Sequence, residues 1–395
     1  MNSKFLFPLA LCVIFTVNSC KKEDQVIEPI LTTATVLPCD FFSTDRTLTN
    51  DINKDVDYIV ECVMDITANV IIQPGVVIQF RENTGLYLSS GFIKSLGTAL
   101  QPVILTGTLS TPGSWRGIYI ASSSLQNEFI HTKINYAGGS AFDSNGDRGA
   151  FIFYGTGSTK IDNCEIFKSG HFGLNAPYSG TRFQLTNTLF KEGLRSPINI
   201  QPENMSIMNF SNTFLGHTNN FIGVQSGSNI SESMTILASK IPYRFYRSST
   251  ITDWLTIESG TLTINDSVRI QFDDGMGLYI STGGSLKIIT SAAAPAVFTA
   301  INPALGAWKG IYFETSQADN RIENSIIEFS GNLYDNKRFG VAMYDNPRIT
   351  ILNTTFRNIN GCGIVDYQDA INPNPNFIQN NNTFLNNSSD NICFN

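Results

Sequence analysis

Apolar and polar residues alternate with a period of two in many short runs along the chain. Apolar residues occupy every second position in residues 70–72, 76–80, 86–88 and 118–120. This spacing is typical of β-strands, and the three-to-four spacing of amphipathic helices is scarce. The pattern therefore predicts many short strands separated by Gly, Pro and Asn.

A shorter motif recurs within this alternation: an apolar residue, a gap, Asn, two free positions and another apolar residue. Its copies are Ile161-Asn163-Ile166, Leu185-Asn187-Phe190, Phe210-Asn212-Leu215, Ile322-Asn324-Ile327 and Ile351-Asn353-Phe356, with a degraded copy at Asn382-Leu385. A repeat of this length indicates stacked supersecondary units. Asn suits the bends because it tolerates left-handed backbone. We predict a coil of two or three strands per turn, with roughly 13 turns over residues 67–395 and a length on the order of 60 Å.

A larger pattern occurs twice. Ile-Gln-Phe, Gly-Leu-Tyr and Trp-basic-Gly-Ile follow one another in both halves, and Gly85 and Gly277 lie 192 residues apart. Trp115 and Trp308 are the matching tryptophans. We interpret the two copies as one continuous coil with a sequence period of about eight turns.

The order of these residues resembles the right-handed parallel β-helix repeat lipoproteins of Gram-negative bacteria, which have a pectate-lyase-like fold. The resemblance is carried by Ile72-Pro74-Gly75-Ile78-Phe80, Gly85-Leu86-Tyr87, Gly91-Gly97-Thr98, Pro102-Val103-Thr106-Gly107 and Trp115-Gly117-Ile118. It implies an all-β, single-stranded right-handed parallel β-helix. Function varies widely among such proteins, so the resemblance transfers no catalytic residue.

The first residues predict export and lipid anchoring. Residues 1–19 have the basic start and apolar core of a signal peptide. The small Ser19 before Cys20 resembles a lipobox, in which Cys20 becomes lipidated; an ordinary secretory signal is the alternative. Lys21-Lys22-Glu23-Asp24 resembles a signal for the outer cell surface. We therefore expect an outer-membrane lipoprotein that is exposed at the cell surface.

The rest of the chain divides into three parts. Residues 20–36 form the lipidated N-terminus and a tether, and residues 37–66 are expected to form an N-terminal capping segment. Residues 67–395 form the β-helix, whose two similar halves cover about 67–240 and 250–395.

Five further cysteines remain after processing. An exported protein lies where disulfides persist. We predict the pairs Cys39–Cys62 and Cys362–Cys393, each worth roughly 3–4 kcal/mol by the chain-entropy model. Cys164 is predicted to be a buried free thiol. No Cys/His cluster suggests zinc, and we expect no metal and no cofactor.

The net charge of −7 argues against nucleic acid and anionic membrane surfaces as partners. The three histidines are also unpromising as catalysts. His131 corresponds to Asn324 and fits the bend position, His171 lacks the companion motifs of polygalacturonases, and His217 lies in a loop-like segment. Asp273-Asp274 is interpreted as a solvated turn, and the matched Trp115 and Trp308 as packed scaffold residues.

Each half inserts one polar loop in which an aromatic residue and Asp precede a basic residue. The candidate ligand-binding residues are Phe142, Asp143, Asp147 and Arg148 in the first loop, and Tyr334, Asp335, Lys337 and Arg338 in the second. Aromatic faces pack on sugar rings, while Asp and Arg bind hydroxyls or carboxylates. A simple solvated excursion is the alternative for both loops, and calcium is a further alternative for residues 143–147.

These features favour a surface-anchored lipoprotein whose non-catalytic β-helix binds glycan or another cell-surface partner. The alternative is a polysaccharide lyase or glycoside hydrolase on the same pectate-lyase-like scaffold, although no acidic and basic cluster repeats at coil spacing. A purely structural envelope rod is the third possibility.

The lipobox is tested by Cys20→Ala. We expect this variant to lose metabolic lipid labelling and to leave the membrane fraction, because the thiol is the only predicted attachment point for lipid. Unchanged membrane retention of the variant would contradict the lipobox.

Overall fold

The computed structural model describes residues 33–226, 229–247 and 253–395. Cys20 and the predicted signal peptide lie outside these residues. In chain order the strands are β1 Thr35–Leu37, β2 Arg46–Leu48, β3 Tyr58–Val60, β4 Val63–Ile66, β5 Asn69–Ile72, β6 Val77–Phe80, β7 Gly85–Leu88, β8 Phe92–Leu96, β9 Val103–Gly107, β10 Ile118–Ile120, β11 Glu128–Ile130, β12 Thr132–Asn135, β13 Gly149–Phe153, β14 Ser158–Asp162, β15 Glu165–Phe167, β16 Phe172–Ala176, β17 Arg182–Thr186, β18 Leu189–Lys191, β19 Ile198–Ile200 and β20 Thr213–Leu215.

The later strands are β21 Ile222–Ser226, β22 Met234–Ile236, β23 Tyr243–Arg247, β24 Trp254–Ile264, β25 Arg269–Phe272, β26 Gly277–Ile289, β27 Ala296–Ala300, β28 Ile311–Phe313, β29 Asn320–Glu323, β30 Ser325–Glu328, β31 Phe339–Met343, β32 Ile349–Leu352, β33 Thr355–Arg357, β34 Cys362–Asp366, β35 Phe377–Asn380, β36 Thr383–Leu385 and β37 Ile392–Cys393. Two 3-10 helices, Phe41–Ser43 and Pro202–Ile207, complete the elements of the described residues.

The strands stack as a parallel β-solenoid of about 13 turns, which confirms the predicted fold class and coil count. The first half contributes an 8-stranded sheet (β1, β3, β6, β9, β12, β15, β18, β20) and a 6-stranded sheet (β2, β5, β8, β11, β14, β17). A 13-stranded sheet runs through both halves (β4, β7, β10, β13, β16, β19, β21, β23, β25, β27, β30, β33, β36). The remaining strands, β22, β24, β26, β28, β29, β31, β32, β34, β35 and β37, pair with one another in the second half. The right-handed sense of the coil stays a prediction.

The core consists of columns of apolar side chains, because each inward residue lies beside its equivalent in the next turn. One column runs through all strands of the 13-stranded sheet. It contains Met64, Leu86, Ile118, Phe151, Leu174, Ile198, Ile222, Tyr243, Ile270, Phe298, Ile327, Phe356 and Phe384. All of them are buried except the last, which is partly buried in the C-terminal turn. Alternation with a period of two thus places one face of every strand in a continuous core.

The bends between strands use left-handed backbone, as the Asn motif predicts. Positive φ angles of 42–53° occur at the motif's central position, at His131, Asn163, Asn187, Asn324 and Asn353. Asn adopts this conformation more readily than most residues. His131 and Asn324 occupy equivalent bends, so the predicted bend position of His131 is confirmed.

Two of the motif's asparagines lie one position later than predicted. The strand register places Asn212 beside Thr188 and Asn382 beside Thr354. Their Oδ1 atoms accept hydrogen bonds from the backbone N–H groups of these threonines, at 3.1 and 3.0 Å. The assignment of both asparagines to the left-handed position was therefore wrong, because spacing alone does not separate two adjacent polar positions in a bend.

Trp115 and Trp308 are scaffold residues, as predicted from their matched positions. Both are fully buried, and each indole stacks on the phenylalanine of the preceding Ile-Gln-Phe segment. The ring centroids are 4.1 Å apart for Trp115 and Phe80 and 4.2 Å apart for Trp308 and Phe272. Each indole N–H donates a 2.8 Å hydrogen bond to a backbone carbonyl one turn onward.

The glycine after each Trp-basic pair is required by geometry. Gly117 and Gly310 have φ angles of 106° and 115°, which L side chains rarely adopt. A Cβ on Gly117 would lie 2.3 Å from the carbonyl oxygen of Gly149. This close approach lets the chain pass directly from the bend into β10.

The two sequence copies do not lie in line along the rod. The Ile-Gln-Phe strand of the first copy, β6, belongs to the 8-stranded sheet, whereas its equivalent β25 belongs to the 13-stranded sheet. Similarly, β7 lies in the 13-stranded sheet, while the matching start of β26 pairs with β24 and β28. The second copy is therefore advanced by one face of the solenoid. The sequence repeat does not correspond to a whole number of turns, contrary to the expected period of about eight turns.

The change of face coincides with an interruption of the sheets. The 6-stranded sheet ends at β17. In the next turn the 3-10 helix Pro202–Ile207 packs against β17 in place of a strand. Proline has no N–H to donate to a ladder, which disfavours another strand here. A cavity of about 570 Å³ lies at this break, lined by residues 179–183, 203, 204, 206, 207 and 229–234.

Residues 37–66, expected as a capping segment, include the end of β1 and the strands β2 to β4, which belong to three of the sheets. The structure joins Cys39 to Cys62 and Cys362 to Cys393, so both predicted disulfides are confirmed. Cys164 is a buried free thiol, also as predicted, and its burial raises its pKa to about 12.

Replacing either stacked tryptophan tests its scaffold role. We expect Trp308→Ala to lower the free energy of unfolding by about 3–5 kcal/mol, because it removes a fully buried side chain and leaves a cavity. Trp308→Phe retains a ring against Phe272 and should cost less. Urea unfolding followed by circular dichroism measures both. An unchanged midpoint for Trp308→Ala would contradict the scaffold assignment.

Candidate functional site

Tyrosines form a column on the outer surface of the 13-stranded sheet. Tyr87 and Tyr119 are register partners in β7 and β10, and their rings stack with centroids 4.9 Å apart. Tyr154, just beyond β13, stacks on Tyr119 at 5.9 Å, and Tyr178 meets Tyr154 edge-on at 4.9 Å. Together with Phe142, these four tyrosines form what we call the first aromatic patch.

The first inserted loop, residues 139–148, folds back over this column. Phe142 lies 5.3 Å from Tyr119 and 6.2 Å from Tyr87 between ring centroids. The guanidinium of Arg116 lies 5.7 Å from the centre of the Phe142 ring and donates a hydrogen bond to the carbonyl of Ala141. The basic residue after Trp115 therefore anchors the loop, and Phe142 packs on the scaffold.

The carboxylates of this loop accept hydrogen bonds from the patch. The Tyr119 hydroxyl donates to Asp143 Oδ2 at 2.9 Å, and the Tyr178 hydroxyl donates to Asp147 Oδ2 at 2.7 Å. Burial raises the pKa of Tyr119, and its hydrogen bond to Asp143 raises it further. Burial also raises the pKa of Asp147 above its ordinary value. The two tyrosines are therefore fixed as donors that hold the loop carboxylates at the rim of the patch.

The second copy repeats the arrangement on another face. Tyr279 and Tyr312 are register partners in β26 and β28, with centroids 5.6 Å apart. Tyr344, just beyond β31, stacks on Tyr312 at 6.3 Å, and Tyr367 meets Tyr344 edge-on at 5.5 Å. The second aromatic patch consists of Trp254, Tyr279, Tyr312, Tyr334, Tyr344 and Tyr367.

The second inserted loop places Tyr334 on this patch. Reciprocal hydrogen bonds join the backbones of Tyr334 and Lys337, at 3.0 and 2.8 Å. Asp335 and Asn336 between them both have left-handed φ angles, which is typical of a tight type I′ turn. Tyr334 then meets Trp254 edge-on at 4.8 Å, and its centroid is 5.2 Å from that of Tyr312.

Cations and carboxylates surround the second patch. The Lys309 ammonium lies 5.2 Å from the centre of the Trp254 ring and 3.1 Å from Asp253 Oδ2. Lys309 is thus structurally equivalent to Arg116, since each basic residue after a scaffold Trp lies over an aromatic ring. The Tyr279 hydroxyl donates to Glu314 Oε2 at 2.5 Å. Burial and then this hydrogen bond raise the pKa of Tyr279.

The structure brings together only part of each predicted constellation. Phe142 with Asp143, and Tyr334 with Asp335, lie at the aromatic patches. Lys337 lies 5.9 Å from the centre of the Tyr367 ring.

Two of the predicted basic residues form no ion pair with the loop carboxylates within the described part of the chain. Arg338 donates a hydrogen bond to the carbonyl of Gly331 at 3.1 Å. Among the described residues, Arg148 forms no ion pair with Asp143 or Asp147. The ligand-binding role of all eight predicted residues stays a prediction.

Sequence reasoning missed the tyrosines that form the base of each patch. The available signal was the tyrosine shared by both Gly-Leu-Tyr segments, Tyr87 and Tyr279, and the one shared by the two Gly-Ile-Tyr segments, Tyr119 and Tyr312. In an alternating strand these positions face outward, where an aromatic residue repeated in both copies needs an explanation.

The other residues considered as possible catalysts lie in bends and turns of the solenoid. His171 and His217 lie beside strands in the bends, and Nδ1 of His171 is buried without a hydrogen-bond partner. Asp273 and Asp274 belong to a turn closed by a hydrogen bond from the N–H of Met276 to the carbonyl of Asp273, as predicted. Neither histidine lies in an aromatic patch.

Comparisons with known proteins leave the family open. No family model matches the chain, and no curated protein or solved structure is similar enough to be matched. Within residues 33–226, 229–247 and 253–395, no helix is long and apolar enough to cross a membrane. The same residues contain no group of three or more His, Cys, Asp or Glu side chains placed to hold a metal ion.

His171 should respond to pH in a defined direction. Burial, followed by the nearby charge of Arg195, lowers its pKa to about 4. The unfolded chain binds a proton near pH 6.5, so this group's contribution to stability is complete above that pH and is lost as the pH falls towards 4. We expect the His171 ring resonances to remain those of the neutral form at pH 5.5 in an NMR titration.

His171→Gln provides the control, since it removes the titrating ring. The variant's urea midpoint should depend less on pH between 4 and 6.5 than that of the parent protein. A His171 resonance that titrates near pH 6.5 would contradict the buried, neutral assignment.

Proposed function

We propose that this protein is a surface-anchored, non-catalytic β-solenoid that binds glycans through its two aromatic patches, the first of which favours neutral glycans. The observation that carries the proposal is the repetition of the same arrangement in both copies. In each, two register-paired tyrosines support an inserted-loop aromatic residue and lead to an outer tyrosine. The predicted lipid anchor at Cys20 supports a location where such ligands occur.

The outer tyrosines supply the accessible aromatic surface. Tyr154 is 43% exposed and Tyr344 is 42% exposed, at equivalent positions one residue beyond β13 and β31. Large aromatic side chains usually bury most of their surface. An exposed tyrosine at the same position in both copies therefore indicates a contact surface. The apolar face of a sugar ring fits against such a ring.

Charge around the first patch favours neutral ligands. Asp65 and Asp143 both act on the Tyr87 hydroxyl, whose pKa is raised by its burial and then by these carboxylates. Carboxylates accept hydrogen bonds from sugar hydroxyls but repel acidic polymers. We therefore expect the first patch to favour glycans without carboxylate or sulfate groups.

The change of face separates the two patches. The first lies over the 13-stranded sheet, and the second lies over strands β24, β26 and β28 on the neighbouring face. A straight glycan chain along one face would not cover both. The arrangement instead favours two separate contacts, which increases avidity for a surface that presents many glycans.

Alanine substitution of the outer tyrosines tests this proposal. We expect Tyr154→Ala and Tyr344→Ala each to weaken glycan binding roughly threefold to tenfold, the effect of losing about 0.5–1.5 kcal/mol of aromatic contact. Tyr154→Phe and Tyr344→Phe keep the rings and should bind nearly as well. A glycan array selects the ligand, and calorimetry measures the affinities.

Leu125→Ala is a matched control, because Leu125 is 83% exposed and lies outside both patches. Equal affinities for this variant, the two alanine variants and the parent protein would overturn the role of the patches. Release of unsaturated products absorbing near 235 nm from uronate polymers would contradict the non-catalytic part of the proposal.

A further inference from the structure

A pocket opens on the outer surface of the 13-stranded sheet, beyond the first patch. Its volume is about 270 Å³, and its lining includes Arg195, Asn219, Phe221, Arg244, Tyr246 and Asp273. None of these residues belongs to an aromatic patch. We call it the Arg244 pocket.

Gly223 creates room for the pocket floor. In the outward column of the sheet it lies between Asn199 and Arg244. A Cβ on Gly223 would lie 3.0 Å from Tyr246 Cε1 and 3.2 Å from Asn199 Oδ1. Because the glycine has no side chain, the Tyr246 ring lies across it, and the Tyr246 hydroxyl donates a hydrogen bond to Asn199 Oδ1.

Arg244 is held in place but is not neutralised. Its guanidinium carbon lies 3.8 Å from the centre of the Phe221 ring, a close cation–π contact. Its Nε is buried without a hydrogen-bond partner. Gln271, its register partner in β25, likewise has a buried Oε1 without a partner. Buried polar groups are rarely left unpaired, so this geometry indicates a missing polar partner.

The positive charges of the pocket are also unpaired. Across the described part of the chain, neither Arg195 nor Arg244 forms an ion pair with a carboxylate. Asp273 lines the same pocket and influences Arg244 without an ion pair. Burial lowers the pKa of Arg244, and the charge of Asp273 opposes this effect.

We propose that the Arg244 pocket binds a small hydroxylated carboxylate with the bulk of about one sugar ring. The planar guanidinium of Arg244 matches a carboxylate, and Arg195 adds a second positive charge at the entrance. Asp273 and Asn219 accept hydrogen bonds from ligand hydroxyls. The negative charge of Asp273 disfavours dianions such as phosphate monoesters. The volume fits a single unit and not a chain.

This site is independent of the proposed glycan patches. It lies on different residues and selects for a charge that the first patch disfavours. Loss of binding at the patches therefore leaves this proposal unaffected, and the reverse also holds.

Binding of glucuronate, measured by calorimetry and saturation-transfer NMR, tests the pocket. Glucose and glucuronamide share its ring but lack the carboxylate, and benzoate carries a carboxylate without hydroxyls. We expect glucuronate to bind at least tenfold more tightly than each of these three probes. Equally tight binding of glucuronamide would overturn the recognition of the carboxylate. Equally tight binding of benzoate would overturn the recognition of the hydroxyls.

Variants locate the site. Arg244→Met should weaken glucuronate binding at least tenfold, and Arg195→Met, at an exposed position, should weaken it severalfold. Arg269→Met is the matched control, because Arg269 is an exposed arginine in the same sheet outside the pocket. Thermal unfolding confirms that each variant is folded.

Should Arg244→Met fail to fold, Arg195→Met and Asp273→Asn decide the question. Asp273→Asn removes the repulsion and should tighten benzoate binding about twofold to tenfold. Unchanged affinities in Arg195→Met and Asp273→Asn, or no glucuronate binding by the parent protein, would overturn the proposal.

Discussion

In-register pairing of parallel strands is the constraint on which the rest of this structure depends. Each residue lies beside its equivalent in the turns above and below, at strand spacing. Side chains at equivalent positions of successive turns therefore form columns, both inside the core and on the outer surface. Inward columns produce the continuous apolar core, and outward columns produce the paired tyrosines, the hydrogen-bonded pair Asn175 and Asn199, and the pocket beside Arg244. The same pairing provides the scaffold and the candidate binding surfaces.

The bends keep this pairing in register. Residues with left-handed backbone recur at one corner of successive turns, and their N–H groups bond to the next turn, as Asn163 does to Thr186 and Asn353 to Asn380. At another corner, a buried Trp stacked on Phe closes the turn, and Gly117 or Gly310 lets neighbouring backbones approach. These matched devices explain why the two copies retain the same sequence signature although they lie on different faces. They are local requirements of a turn and do not depend on which face the turn occupies.

The inserted loops show how one scaffold element supports a surface. Arg116 and Lys309 follow the buried tryptophans, and each lies over an aromatic ring of its patch. The core tryptophan thereby fixes the position of a cation, and the first loop is tied down by Arg116. Phe142 and Tyr334 then pack on outward tyrosines and leave Tyr154 and Tyr344 exposed. A rigid surface of this kind loses little conformational freedom when it binds a ligand.

The sequence by itself determined the solenoid, its number of turns, the two disulfides and the bend role of His131. These properties follow from local patterns: alternation decides which side chains are inward, and left-handed bends favour Asn. It also identified the inserted loops, but not their partners, because Phe142 and Tyr87 are far apart in the chain. Only the tertiary structure decided the outward tyrosine columns, the Arg244 pocket and the advance of the second copy by one face. These depend on how the coil closes between turns, and a repeat measured in residues does not fix its position around the rod.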